Sequence, residues 1–333
     1  MLKNERLKGK NVLFFSPSFF GYENKIANKM KDLGANVYLY DERSIKDSFS
    51  KALLKVSPSI FNSKSKKYYN KILDDIRNVK FDYILVIKCE MMPVSIIQAI
   101  KQQFGDAKLY LYLWDSVKNV KGLKNKLSYF DKVYSFDRMD CQKYGFQLRP
   151  LFFADEYIKE PNPNQDYKYD ISFLGTIHSD RYKIIKKIEK IAKEQGMKCY
   201  WYKFLQSKFI YYYYKVTKKE FRGTTLEDFD YKKKSGVELS KIVDESKVIL
   251  DVQHPRQVGL TMRTIEMLGM NKKVITTNAD IKNYDFYCKD NIFIINRNNA
   301  VINKDFVESK YVPIDEKIYE KYSLTSWVLD ILN

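Results

Sequence analysis

Apolar residues along this chain fall into short runs that alternate with stretches of helical periodicity. Asn11-Val-Leu-Phe-Phe15 reads as a buried strand, Ser16 to Gly21 as a loop, and Tyr22 to Leu33 as a helix. Gly34-Ala-Asn-Val-Tyr-Leu-Tyr40 then reads as a second strand. Together they make a β-α-β unit, the opening of a Rossmann-like domain. A basic helical stretch follows from about Ile45 to Val79. Tyr83 to Lys88 is the next strand and ends in Cys89-Glu90-Met91, and Pro93 opens a helix that runs through Gln103. Lys108-Leu-Tyr-Leu-Tyr-Leu-Trp114 is a strand that delivers Asp115 and Ser116, and Val133 to Phe136 is one that delivers Asp137. Ligands of open parallel sheets bind outside the carboxyl ends of the strands, where Glu90, Asp115 and Asp137 all fall.

Pro161-Asn-Pro-Asn-Gln165 is the clearest break in the pattern and reads as a linker. Beyond it the same grammar resumes. Asp170 to Leu174 is a strand, Gly175 to Arg181 a strand-to-helix turn, and the helix continues to about Gln195. Cys199 to Lys203 and Val248 to Val252 are further strands, the latter ending near Gln253-His254-Pro255-Arg256, and Ile292 to Asn296 is another. Tyr319 to Leu332 reads as a terminal amphipathic helix. The expectation is an α/β protein with an N-terminal domain over 1–158, a C-terminal domain over 166–315, and a closing segment over 316–333 that packs back toward the first domain. No internal repeat stands out at solenoid periods. A GxGxxG dinucleotide fingerprint is missing as well, which argues against an oxidoreductase.

Composition narrows the class. At 333 residues, 45% of them hydrophobic, the chain is long enough for two ordinary globular domains. No apolar run approaches the ~20 residues that span a bilayer, and the charged opening Met1 to Lys10 is unlike a signal peptide. Cys89, Cys141, Cys199 and Cys288 are scattered, without CxxC or Cys/His spacing, so a reduced, cytoplasmic protein without structural zinc is expected. The formal net charge of +18 calls for an anionic partner, with nucleotide phosphates, acidic lipid and nucleic acid as candidates, or else reflects a lysine-rich solvated surface.

The most chemically informative stretch is Val258-Gly-Leu-Thr-Met-Arg-Thr-Ile-Glu-Met-Leu-Gly-Met-Asn-Lys-Lys-Val-Ile-Thr-Thr277. It reads as a loop, a short helix and a β-branched strand, with Gly259 for a close turn and Gly269 to end the helix. Arg263 at a helix N-terminus suits phosphates, and Glu266 one turn later can accept hydrogen bonds from a sugar's vicinal hydroxyls. The plain alternative is an i,i+3 Arg–Glu pair that stabilises a surface helix. In the Gly175 to Arg181 turn after the Asp170 strand, Thr176 included, Gly175 permits close approach and the turn's N–H groups can cradle an anion. Arg181, Lys203 and Arg263 are the natural cations for a pyrophosphate. The two histidines, His178 and His254, both lie after strands in this half, as phosphate partners or as ordinary turn residues.

Taken in order with Phe130-Asp-Lys-Val-Tyr-Ser-Phe-Asp-Arg-Met-Asp-Cys-Gln-Lys-Tyr-Gly145, Pro150-Leu-Phe-Phe-Ala-Asp155 and Tyr169-Asp-Ile-Ser-Phe-Leu-Gly-Thr176, this stretch resembles the GT-B glycosyltransferases of the group 1 type, within them the CgeB-like branch. The likeness covers roughly residues 80 to 330. It implies two Rossmann-like domains facing a cleft, a nucleotide-sugar donor held by the second domain with Glu266 on the ribose, and a glycan or lipid-linked acceptor at the first. It also implies that positive side chains and helix dipoles replace a divalent metal at the leaving group; Asp228-Phe-Asp230 is poorly placed to serve as a metal-binding DxD. Asp115 and Glu90 are then candidates for the base that takes the acceptor's proton, with helix capping the plainer role for Asp115.

Two other functions compete. Tyr211-Tyr-Tyr-Tyr214 between Lys208 and Lys215, Lys218 and Lys219 can lie on an anionic bilayer at the inner face of the plasma membrane, stack single-stranded bases, or form an aromatic core helix. A basic nucleic-acid-binding protein is the less favoured reading. A sugar-nucleotide 2-epimerase shares the GT-B fold but needs several carboxylates and a histidine around the sugar, and this chain is poor in histidine.

Overall fold

The computed structural model describes residues 5–43, 58–160 and 165–333, with the side chains of 58–62 left aside. The expected linker residues 161–164 and the first part of the basic helical stretch lie outside the described residues. The chain forms two compact units: Met1–Pro150 together with Leu324–Asn333, and Leu151–Ser323.

The first unit is built on a six-stranded, wholly parallel sheet. Its strands are β1 (Asn11–Ser16), β2 (Asn36–Asp41), β3 (Tyr83–Ile87), β4 (Lys108–Leu113), β5 (Lys132–Ser135) and the two-residue β6 (Gln147–Leu148), in spatial order β2-β1-β3-β4-β5-β6. Its helices include α1 (Tyr22–Asp32), α2 (Pro58–Asp75), α3 (Val94–Gln103) and α4 (Arg138–Tyr144). Val12, Leu13, Phe14 and Phe15 are all buried, as a strand covered on both faces requires. Leu13 and Phe15 join Ile84, Val86, Leu109 and Leu111 in one core with Ile96, Ile97 and Ile100 of α3. The chain leaves β1 toward β2 and returns on the other side to β3, so the topological switch lies between β1 and β3.

The second unit has five parallel strands: β7 (Tyr169–Thr176), β8 (Cys199–Phe204), β9 (Ser246–Asp251), β10 (Lys273–Thr276) and β11 (Ile292–Ile294), in order β11-β10-β9-β7-β8. Its helices include α5 (Arg181–Glu194), α6 (Lys208–Thr217), α7 (Gly236–Asp244), α8 (Met262–Gly269), α9 (Lys304–Glu308) and α10 (Glu316–Lys321). Here the switch lies between β7 and β9. Open α/β sheets bind ligands at the carboxyl side of such switches, because the loops there diverge and leave a crevice.

Two local expectations are corrected. The terminal stretch forms two helices, α10 and then α11 (Leu324–Ile331), because the chain turns at Tyr322 and Ser323 bridges to Phe153, whose N–H donates to the Tyr322 carbonyl at 2.9 Å. Gly269 does end α8, as expected, but by packing rather than as a left-handed stop. A Cβ there would lie 2.6 Å from Phe153 Cγ, while the positive φ of 52° falls on Asn271.

Candidate functional site

In the second unit the loops after β7 and β9 carry the two histidines, on either side of the switch. Their ring centroids are 5.7 Å apart. The backbone N–H of Arg256 donates to His254 Nδ1 at 3.2 Å, which leaves the proton of a neutral ring on Nε2, able to donate elsewhere. His178 Nδ1 is 3.0 Å from Ser179 Oγ. Burial, then the charges of Arg181, His254 and Lys218, push His178 down to about 4. Burial and the nearby Arg256 lower His254 in the same direction. Both rings therefore sit among cations.

Arg181, the first residue of α5, spends two donors on strand ends: Nε on the Val252 carbonyl at 2.7 Å and Nη1 on the Thr176 carbonyl at 2.8 Å. Its guanidinium thus staples β7 to the loop after β9. Burial depresses its pKa, with Arg297 and Arg263 near enough to add to the effect. Gly175 and Thr176 are strand residues paired with Lys203 and Phe204, so their backbone is committed to the sheet, and the turn to α5 is made by residues 177–180. Gly175 provides room instead: a Cβ would stand 3.3 Å from Arg181 Nη1 and 3.1 Å from Phe173 Cζ. Lys203 is placed away from the histidines, buried and paired with Glu189 of α5 at 3.4 Å.

The start of α8 is anchored by Asp251 at the end of β9. The Asp251 Oδ2 atom accepts from the hydroxyls of Thr261, at 2.8 Å, and Thr264, and Thr261 Oγ1 accepts from the Thr264 N–H as the N-cap. Arg263 and Glu266 form the expected i,i+3 pair, Nη1 to Oε2 at 3.1 Å, but Glu266 is only 6% exposed, so this is no surface pair. Gly259 is buried in the preceding bend, its carbonyl accepting from Gln257 Nε2 at 3.0 Å.

The structure adds three residues to this set. Arg297 follows β11, donating Nη1 to both Asp180 carboxylate oxygens at 2.9 and 3.0 Å and Nη2 to the Gln253 carbonyl. Lys218 reaches the Ser179 carbonyl at 2.6 Å, and burial lowers its pKa. Arg297 was findable, since it stands immediately after the Ile292 to Asn296 run. Lys218 stood out only as a flank of the tyrosine run, and Asp180 carried no signal of its own.

In the first unit Glu90 and Asp115 are joined by one lysine. Lys88 Nζ is 3.0 Å from Glu90 Oε2 and 2.9 Å from Asp115 Oδ2. Burial opposes the ammonium, but Asp115 and then Glu90 outweigh it and hold its pKa above the usual value. Asp115 is not a helix cap; Asp137 has that role, accepting from the N–H groups of Met139 and Asp140. Lys88 and Cys89 have φ of 71° and 54°, a left-handed backbone that costs non-glycine residues about 1–2 kcal/mol each. The bend is held by Lys126, which donates to the carbonyls of Cys89 at 2.8 Å and Glu90 at 3.1 Å. Buried Glu42 holds it from below, its Oε1 accepting from the N–H groups of Met91 at 2.6 Å and Met92 at 3.1 Å. Across the switch, Phe19 lies against Phe20 and Trp114, an aromatic rim beside Asp115 with Phe20 79% exposed. Among the described residues, no three of His, Cys, Asp and Glu group as a metal would need.

The sequence matches no family model and no curated protein. The fold does have solved counterparts. HepE of Anabaena, solved in complex with UDP-glucose, superposes with a TM-score of 0.58 at 10% identity over 96% of this chain and 98% of its own. The lipopolysaccharide outer core galactosyltransferase WaaB, in its apo form, gives 0.53 at 12% over 97% and 98%. The UDP-GlcNAc 2-epimerase from Methanocaldococcus jannaschii gives 0.54 at 9% over 97% and 98%. At such identities the likeness is one of fold. The chain has the GT-B fold, two Rossmann-like domains in one polypeptide.

Proposed function

We propose that this protein is a glycosyltransferase that moves a sugar from a nucleotide-sugar donor to a hydroxyl acceptor without a divalent metal. The observation that carries the reading is the gathering of His178, His254, Arg181, Arg263, Arg297 and Lys218 around the β7/β9 switch, with the carboxylate of Glu266 one turn into α8. A diphosphate leaving group needs its developing charge met by fixed donors, and this cluster supplies them. His254 Nε2–H and Arg263 would hold phosphate oxygens, and Glu266 would accept from the ribose hydroxyls. Arg181, braced on two carbonyls, would act through its charge and its hold on the loops; Gly175 and Thr176 would give it room and an acceptor.

On the acceptor side, Asp115 or Glu90 would take the hydroxyl proton as that oxygen attacks the anomeric carbon and the nucleotide diphosphate departs. Lys88 holds both carboxylates in place by ion pairs, and the rim of Phe19, Phe20 and Trp114 offers apolar faces to a sugar ring. A bacterial surface glycan or a lipid-linked oligosaccharide is the acceptor class in this reading, supported by the fold shared with a lipopolysaccharide outer core galactosyltransferase. The ordered motifs from Phe130 to Thr277 support the narrower CgeB-like assignment.

Melting the protein with UDP, GDP, ADP, CMP and their common sugar conjugates, with Glu266→Ala in parallel, tests the reading. One nucleotide family should raise the wild-type melting temperature and fail to do so in the variant. No response to any nucleotide, together with salt-sensitive binding to oligonucleotides, would overturn it. Conversion of a bound UDP-sugar to its 2-epimer, without transfer, would move the assignment to the epimerase sharing this fold.

A further inference from the structure

Helix α6 divides its rings between two faces. Tyr211 is buried, donates its hydroxyl to the Thr224 carbonyl at 2.7 Å and packs on Phe229, while Tyr214 packs on Phe221. The opposite face is apolar and open: Phe209 is 79% exposed, Tyr212 56%, Tyr213 58% and Val216 84%. These four stand at i, i+3, i+4 and i+7, so they form one stripe about 10 Å long. A water-facing helix carries polar residues on such a face, and a contiguous apolar stripe marks a contact surface.

The charge beside the stripe selects its partner. Lys208 stands at one edge of it and Lys219 follows the helix, both exposed, while Lys215 turns its amine to the Thr224 carbonyl at 3.0 Å. From Ser207 to Lys219 there is no carboxylate, in a chain of net charge +18. Apolar side chains bordered by lysines suit the boundary between acyl chains and anionic headgroups, where tyrosine and phenylalanine rings settle and lysine stems reach the phosphates. Single-stranded nucleic acid fits less well, because Val216, the most exposed of the four, has no ring on which a base can stack. Among the described residues no helix is long and apolar enough to cross a membrane, so contact of this kind is made from one side.

We propose that α6 is an interfacial docking helix, which lays Phe209, Tyr212, Tyr213 and Val216 into the headgroup layer of an anionic membrane with Lys208 and Lys219 on lipid phosphates. The assignment does not depend on the transferase reading, and its test measures no activity. The full-length protein is sedimented with vesicles of phosphatidylcholine and of phosphatidylcholine mixed with phosphatidylglycerol, at low and high salt. Wild type should bind the mixed vesicles and leave the neutral ones. Phe209→Ser with Val216→Ser should weaken that binding about tenfold or more, with circular dichroism and melting unchanged. Lys208→Glu with Lys219→Glu should weaken it and flatten its salt dependence. Failure of wild type to bind either vesicle, or equal binding by wild type and the serine variant, overturns the proposal. So does a serine variant that loses oligonucleotide binding while keeping its hold on vesicles.

Discussion

At the scale of single residues, half-buried His178 and buried Glu42 make opposite pH statements. His178, near 4 in the folded protein against an ordinary 6.5, is neutral when folded, while the unfolded chain takes up its proton first. Its depressed pKa contributes stability that is complete above pH 6.5 and is lost as pH falls toward 4. His178→Gln should therefore flatten the acid side of a plot of melting temperature against pH. Because the chain has only two histidines, proton NMR resolves them directly. A nucleoside diphosphate should raise the His178 pKa by countering the cations around it, and a His178 that titrates near 6.5 and ignores the ligand would remove it from the site. Glu42 runs the other way. Burial lifts it to about 7, against the two N–H groups and Lys126 that favour its charge. Its raised pKa stabilises below about 4.5 and that contribution is lost as pH rises through 7. Glu42→Gln keeps the acceptor oxygen and should abolish this slope in urea midpoints measured from pH 5 to 8. Glu42→Ala strands the Met91 and Met92 N–H groups and should cost about 1–3 kcal/mol. Neither role was legible in the sequence, since each depends on partners tens of residues away.

At the scale of elements, α8 shows what local pattern conveys and what it conceals. The Arg263–Glu266 spacing and the following β-branched strand were both readable, because they are interactions within one turn or one run. The reason for Gly269 was not, because it is the ring of Phe153. Helix propensity favours alanine over glycine by about 1 kcal/mol. Overpacking against Phe153 costs about 1–3 kcal/mol and should win, so Gly269→Ala should lower the urea midpoint, and Phe153→Leu in the same chain should restore part of it. A midpoint that rises in Gly269→Ala would show that propensity decides. Helix α6 makes the same point from its surface: its aromatic and basic character was plain, while the side on which each ring falls depends on Phe221, Phe229 and Thr224.

At the scale of the molecule, the last ten residues belong to the first unit although the preceding ones belong to the second. Trp327 of α11 is fully buried against Tyr112 of β4, with ring centroids 4.7 Å apart, and Asp330 pairs with Arg149 at 2.9 Å. Trp327→Ala should destabilise the first unit by about 3–5 kcal/mol. A fragment of residues 1–150 should stay protease-sensitive until a peptide of residues 324–333 is added. Folding of that fragment alone, as resistant as the intact chain, would show that α11 is an accessory.

The sequence by itself determined the two α/β halves, most strands to within a residue or two, and the loops at which chemistry gathers. Those follow from periodicity and from where a strand stops, which neighbours along the chain dictate. Only the tertiary structure decided that His178 meets His254, that one lysine joins Glu90 to Asp115, that Lys203 turns to Glu189, and that Arg297 enters the cluster. Strand order β11-β10-β9-β7-β8 sets β7 beside β9, though they are about seventy residues apart in the chain, and no local rule encodes that adjacency.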